Sequence, residues 1–270
     1  MSSRDKTKKS NVICDALAKK FPPPPLEEDR DLVEAMLVAI LLERVPRARA
    51  EQIIKRFQAT FVNWNEMRVS TGTEIAEQAK ESSLNERIAR RLKNALHALY
   101  DNRWEFDLTF LKEESAANIR SYLVDTLGLE PRPAARVMLF DLGKPALPLS
   151  EEVRRVANRL GLCDPSWAQD RAQKSLERIV PASRVHEFSH IAQRHAEATC
   201  LADKPRCSRC LLRKICDFYA EQQTGGKTAA AKPKGKPAKK ATKKKAAPKK
   251  TGAKKTTRKK ARGKATKKKR

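Results

Sequence analysis

The chain has 270 residues with 59 Lys or Arg against 32 Asp or Glu, a formal net charge of +27. That length holds one or two domains, and it contains no run of about twenty apolar residues that could span a membrane. Its opening residues, Met1-Ser-Ser-Arg-Asp-Lys-Thr-Lys-Lys, lack the apolar centre of a signal peptide, so the six cysteines are expected in a reducing compartment, where metal sites outnumber disulfides.

The charge is unevenly placed. From Gln222 onward there are 22 Lys or Arg and no acid, which leaves +5 for residues 1–221. The chain therefore divides into three parts: a basic lead over 1–26, a helical domain over 27–221 and a Lys/Ala/Pro-rich tail over 222–270. The lead ends in Pro22-Pro-Pro-Pro25, which holds a polyproline II conformation and cannot enter a helix. It reads as disordered, with Cys14 incidental to it.

Helical periodicity begins after the prolines. Leu32, Val33, Met36, Leu37, Ile40 and Leu41 form one apolar face that stops near Pro46. The pattern recurs over 50–61, 73–80 and 84–100. In the last of these, Leu84, Ile88, Leu92, Ala95, Leu96 and Leu99 share a side, while Arg87, Arg90, Arg91 and Lys93 form a stripe read as a solvated face. No strand-like alternation exceeds three or four residues, and the fold class is all-α.

A helix over 115–127 comes next, with Ile119, Tyr122, Leu123 and Leu127 facing inward. Gly128-Leu129 makes a turn, and Pro131 starts a second helix running to about Leu142. Proline suits the first helical position because its missing N–H has no intrahelical partner there. Such a helix, glycine turn and helix, over about 115–142, is the shape of a helix-hairpin-helix, which grips phosphate without reading sequence. Ser150 caps a further helix from Glu151 to Leu160, another occupies 166–180, and Val180-Pro181 leads to His186, His190 and His195. These histidines are assigned surface or hydrogen-bonding roles.

Four cysteines then fall within seventeen residues: Cys200, Cys207, Cys210 and Cys216, spaced C-x6-C-x2-C-x5-C. Thiolates at this density serve a metal. A zinc site favours two C-x2–4-C knuckles, and only Cys207 and Cys210 form one, so the spacing favours a [4Fe-4S] cluster over zinc, with a disulfide framework third.

The run from His195-Ala-Glu-Ala-Thr-Cys200 through Lys204-Pro-Arg-Cys207 to Ile215-Cys216 resembles the iron–sulfur loop of the endonuclease III family of helix-hairpin-helix DNA glycosylases. The resemblance extends over roughly 27–218. It implies a two-lobed helical fold, double-stranded DNA as partner, a monomer, a setting in base-excision repair or damage recognition, and a location on the DNA, in the cytoplasm or a nucleus. It implies metal ligation by Cys200, Cys207, Cys210 and Cys216, and DNA contacts from Gly128, Leu129, Arg132, Lys204, Arg206 and Arg209, with Arg213 and Lys214 completing a positive rim.

Departures from the family's pattern bear on chemistry. The family has a lysine nucleophile where the run Leu127-Gly128-Leu129-Glu130-Pro131-Arg132 ends in Arg132, and an aspartate eighteen residues on, where Ser150 stands. A guanidinium stays protonated and cannot form a Schiff base, and a serine caps a helix but carries no charge. No catalytic residue is therefore assigned. Glu130 replaces the second glycine of the turn, and the glutamine the family inserts into duplex DNA is absent from Leu41-Leu42-Glu43-Arg44-Val45-Pro46. Asp141, Glu151 and Glu152 are the acids near enough in sequence to substitute for the aspartate. The tail resembles that of linker histones and is expected to be disordered and to bind polyanions through counterion release. A histone-like coating protein and an enzyme using another carboxylate are the alternatives.

Overall fold

The computed structural model describes residues 2–26, 30–80 and 84–223. The described residues belong to one compact unit, and residues 224–270, nearly all of the expected tail, lie outside the described residues. The described residues contain helices and no strand, as an all-α fold requires.

The helices surround two apolar cores. The first is assembled on α2 (Leu32–Leu41), in which every residue but Glu34 is buried. Asp31 caps it by accepting from the Glu34 N–H at 2.7 Å. Against it pack α3 (Arg47–Thr60) and α6 (Glu86–Arg103), and α4 (Trp64–Val69) and α5 (Gly72–Ala79) pack in turn on α6. α6 buries Ile88, Leu92, Ala95, Leu96 and Leu99, the face its periodicity predicts. α7 (Ala116–Ser121) and α8 (Pro131–Phe140) close this lobe. α8 serves both cores, turning Val137 and Met138 into the first and Leu139 into the second.

The second core is built from α9 (Glu151–Arg159), α10 (Gln169–Ile179) and α11 (Val185–Ala198), with Phe188 fully buried at its centre. A side chain of that size contributes roughly 1.5–3 kcal/mol on leaving water. Glu177 of α10 links the lobes, accepting from Arg120 of α7 and from the Leu147 N–H, each at 2.9 Å.

The N-terminal lead departs from expectation. Residues Ser3–Ala18 form a helix, α1, started by a capping box between Ser2 and Asp5. Its overall composition is polar, but Ile13, Cys14 and Leu17 make a narrow apolar stripe that is at most 1% exposed and belongs to the second core. Lys6 donates to the Leu162 carbonyl at 3.1 Å, and Arg184 pairs with Asp15 at 2.8 Å. Lys9 pairs at 2.6 Å with Asp217, the first residue of α12 (Asp217–Gln223). Cys14 is thus a core residue. Burial pushes its thiol up to about 12, as expected of a small apolar side chain.

Replacing Leu17 by Ala tests this docking. It is expected to lower the unfolding free energy by about 2–5 kcal/mol, the cost of a buried leucine cavity, visible as a lower urea midpoint. A loose lead would leave the midpoint unmoved.

Candidate functional site

α7 does not end cleanly. It widens into a π-helical turn over Tyr122–Thr126, where the Leu127 N–H reaches back to Tyr122 O, and the Leu129 N–H to Leu123 O, both at 2.9 Å. Gly128 makes the reversal with φ +70, and a Cβ there would meet nothing within 4 Å. Backbone conformation, and not space, demands glycine. Leu129 is 4% exposed and pins the turn to the first core.

Pro131 and Pro133 carry no N–H, and the Ala134 N–H is used by the Glu130 carbonyl at 3.1 Å. In the first turn of α8 the Arg132 N–H is therefore the backbone donor that the helix leaves over, with the Arg132 guanidinium adjoining it. Glu130 is drawn toward α6. Its carboxylate pairs with Arg91 of α6 at 3.3 Å, and Arg91 also pairs with Glu43 beyond α2. This corrects the reading of the α6 cations as one solvated stripe. Arg87 and Arg90 are exposed, but Arg91 is tied inside this network and Lys93 donates to the Ser70 carbonyl at 2.7 Å.

Between the cores lies a cleft lined by, among others, Arg47, Arg132, Arg136, Ser150, Gln193 and Glu197. Arg132 and Ser150, eighteen residues apart, thus share one cavity. Ser150 is 4% exposed. Its hydroxyl accepts from the Val153 N–H at 3.1 Å, capping α9, and donates to Gln193 Oε1 at 2.7 Å. An amide oxygen is no proton acceptor of use to a nucleophile, so the hydroxyl is structural. Gln193 in turn donates to Glu197 at 2.8 Å, and Glu197 pairs with Arg194 at 3.0 Å. Asp141, Glu151 and Glu152, the acids singled out by sequence, are not among the lining residues; Glu197 is the acid that is. Glu197, Arg136 and Gln193 carried no sequence signal, because the cleft is made by convergence of α3, α8, α9 and α11.

The four clustered cysteines line a second cavity together with Val156, Leu160, His195 and Phe218. α9 organises the loop through two arginines. Arg159 donates to the carbonyls of Leu201 at 2.6 Å and Ala202 at 2.8 Å, lies 3.3 Å from Cys200 Sγ, and stacks on Phe218 at 4.6 Å. Arg155 donates to the Cys200 carbonyl at 3.0 Å. Gly161, with φ +67, turns the chain out of α9, and a Cβ there would strike the Asp217 carboxylate. Burial raises the thiol pKa values of Cys210 and Cys216, and the neighbouring cysteines add to the rise. Four thiolates sharing one cavity repel one another unless a cation lies among them, and this donor set suits a metal centre. Among the described residues no three His, Cys, Asp or Glu converge closely enough to hold a single metal ion.

His195 is buried against this centre, with Nε2 3.7 Å from Cys210 Sγ and its carbonyl accepting from the Cys200 N–H at 2.9 Å. Burial holds its pKa down to about 4, with Lys20 adding to the effect, so the ring is neutral near pH 7. His190 lines the interlobe cleft, and His186 stacks edge-on against Phe140 at 5.5 Å. Lys204, Arg206, Arg209, Arg213 and Lys214 are all exposed on the cysteine loop, none of them within the interlobe cleft. No described helix is long and apolar enough to cross a membrane.

No protein-family model matches the chain. The DNA glycosylase/AP lyase ROS1 of Arabidopsis thaliana is 24% identical over 198 residues, 66% of this chain but 14% of that protein; the chain spans about a seventh of the first such relatives. The thymine/uracil-DNA glycosylase of Methanothermobacter thermautotrophicus is 24% identical over 203 residues, covering 74% of this chain and 88% of that one. Among solved structures, endonuclease III trapped as a covalent intermediate with DNA superposes with TM-score 0.67 at 20% identity, covering 83% of this chain and 99% of that one. A thermostable thymine-DNA glycosylase gives 0.64 at 21%, covering 79% and 98%. The fold is that of the helix-hairpin-helix glycosylases.

Arg159→Ala should release the cysteine loop without disturbing the first core. Loss of its charged hydrogen bonds is expected to cost roughly 2–3 kcal/mol and to speed amide exchange over 200–216 while α2 and α6 keep their protection, as hydrogen-exchange mass spectrometry would read.

Proposed function

We propose that the chain is a DNA-binding protein of the endonuclease III type that recognises damaged DNA, in base-excision repair or a related task, without the lysine-and-aspartate chemistry of that family. The observation that carries the reading is the pairing of Arg132 with Ser150 in one interlobe cleft. These are the positions at which the resemblance puts the nucleophile and the carboxylate, and they hold a permanent cation and a neutral cap. The hairpin supports DNA contact through Gly128, Leu129 and Arg132. The exposed Lys204, Arg206 and Arg209 supply a second row of charge.

In this reading Cys200, Cys207, Cys210 and Cys216, which line one cavity, hold a [4Fe-4S] cluster, the centre that their C-x6-C-x2-C-x5-C spacing favours over zinc. The cluster orders the loop that presents the basic rim. The protein works as a monomer on duplex DNA, in the cytoplasm or a nucleus, and the basic segment from 224 onward adds counterion-driven affinity.

One observation favours a second reading. Glu197 lies in the same cleft as Arg132, so a carboxylate is present for base excision if Arg194 releases it.

Duplexes carrying an abasic site, an oxidised pyrimidine or a mismatched thymine separate these readings. Selective binding to one lesion, with no strand cleavage and no borohydride-trapped adduct, is expected. Cleavage abolished by Glu197→Gln would establish the second reading instead, and lesion-blind binding that disappears with residues 224–270 would leave a coating protein. The purified protein should be brown and carry about four iron and four sulfide, both lost in Cys207→Ser. A colourless protein containing one zinc would overturn the cluster assignment.

A further inference from the structure

The interlobe cleft holds more positive charge than contact with a single backbone phosphate requires. Arg47, Arg132, Arg136 and Arg194 line it, against Glu197 as the one lining acid among the described residues. Glu197 is engaged by Gln193 and Arg194, and Arg47 pairs with Glu51 at 2.8 Å, so Arg132 and Arg136 carry the charge presented to a ligand. Arg132 and Arg136 stand four residues apart on α8 and so project from one face. Arg136 lies flat on Phe140, 4.8 Å from the ring, where burial pulls its guanidinium down to about 10. Arg47, Arg132 and Arg30 deepen that fall and Asp141 opposes it. The stack on Phe140 accounts for the position of one arginine; it does not account for several converging on a shared space. Across that space stands Ser150, whose hydroxyl is tied to Gln193 and whose side chain brings no negative charge to repel an anion.

From this arrangement we infer that the cleft binds the terminal phosphomonoester of a DNA strand, with Arg132 and Arg136 as its principal ligands. The inference rests on the DNA-binding reading above. A monoester carries close to two negative charges and an internal phosphodiester one, and planar guanidiniums grip such oxygens in bidentate fashion. Geometry selects the end of a strand as well. An internal phosphate is followed by chain on both sides, whereas a terminal phosphate, attached on one side, can enter between Arg132 and Arg136, both of them half-buried.

The test uses the full-length protein and fluorescent single-stranded pentanucleotides with a 5′-phosphate, a 3′-phosphate or neither, read by anisotropy, with an intact unphosphorylated duplex as control. One of the phosphorylated ends is expected to bind about tenfold more tightly than the unphosphorylated strand, equivalent to about 1.4 kcal/mol. Arg136→Gln should erase that preference while leaving the affinity for the unphosphorylated strand unchanged, since other basic surfaces contribute equally to both. Wild-type protein that binds the duplex but treats all three strands alike overturns the inference, and this comparison stands even if the variant fails to fold. Inorganic phosphate or a deoxynucleoside monophosphate binding as tightly as the phosphorylated strand also overturns it, by making the ligand a free anion. Failure to bind any DNA, duplex included, would instead sink the DNA-binding reading on which the inference rests.

Discussion

Arg159 fixes the relation between the helical scaffold and the cysteine loop. A loop of seventeen residues bearing four thiols, with short 3-10 turns over Cys207–Arg209 and Arg213–Ile215, has little regular backbone pairing to hold it. Its carbonyls need donors, and one guanidinium at the end of α9 supplies them to Leu201 and Ala202 while touching Cys200 and covering Phe218. The planar fork of arginine makes this possible; a lysine at the same place could not reach both carbonyls and stack. The same helix begins at Ser150, so one element of nine residues joins the cap inside the interlobe cleft to the anchor of the thiol centre.

The interlobe cleft brings together a permanent cation, Arg132, and a neutral helix cap, Ser150. Ser150 keeps the backbone bond that starts α9 and gains a partner in Gln193, so local stability does not depend on a carboxylate there. Arg132 keeps a positive charge at the mouth of α8. The charge of Glu130 is absorbed by Arg91, which also holds Glu43, and the turn is thereby fastened to α6.

Much of this was legible in the sequence, for definite reasons. α2 and α6 announce themselves because their apolar residues recur at helical spacing over ten residues or more, and the hairpin because Gly128 and Pro131 can occupy few other conformations. The cysteines stand out through density alone. α1 was not legible: three apolar residues in a lysine-rich segment look solvated until α10 and α11 provide the surface that covers them. The internal role of Arg91 was equally hidden, since Arg87, Arg90 and Arg91 are chemically alike and only the placement of Glu43 and Glu130 separates them. The acid in the cleft, Glu197, is hidden in the sequence because α11 lies far along the chain from the hairpin and only the fold brings it to Arg132.

The make-up of the second core has a consequence for synthesis. The first core draws on one continuous stretch, from Leu32 to Ala146, and can close while the chain is still emerging. The second joins Ile13, Cys14 and Leu17 to side chains that follow Leu139, with Leu212 the last of the buried set. α1 must therefore wait, its apolar stripe uncovered, until the ribosome has delivered nearly two hundred further residues. Closing so wide a loop is slow, and during that interval the nascent protein is most open to holdase chaperones and to mispairing with its neighbours.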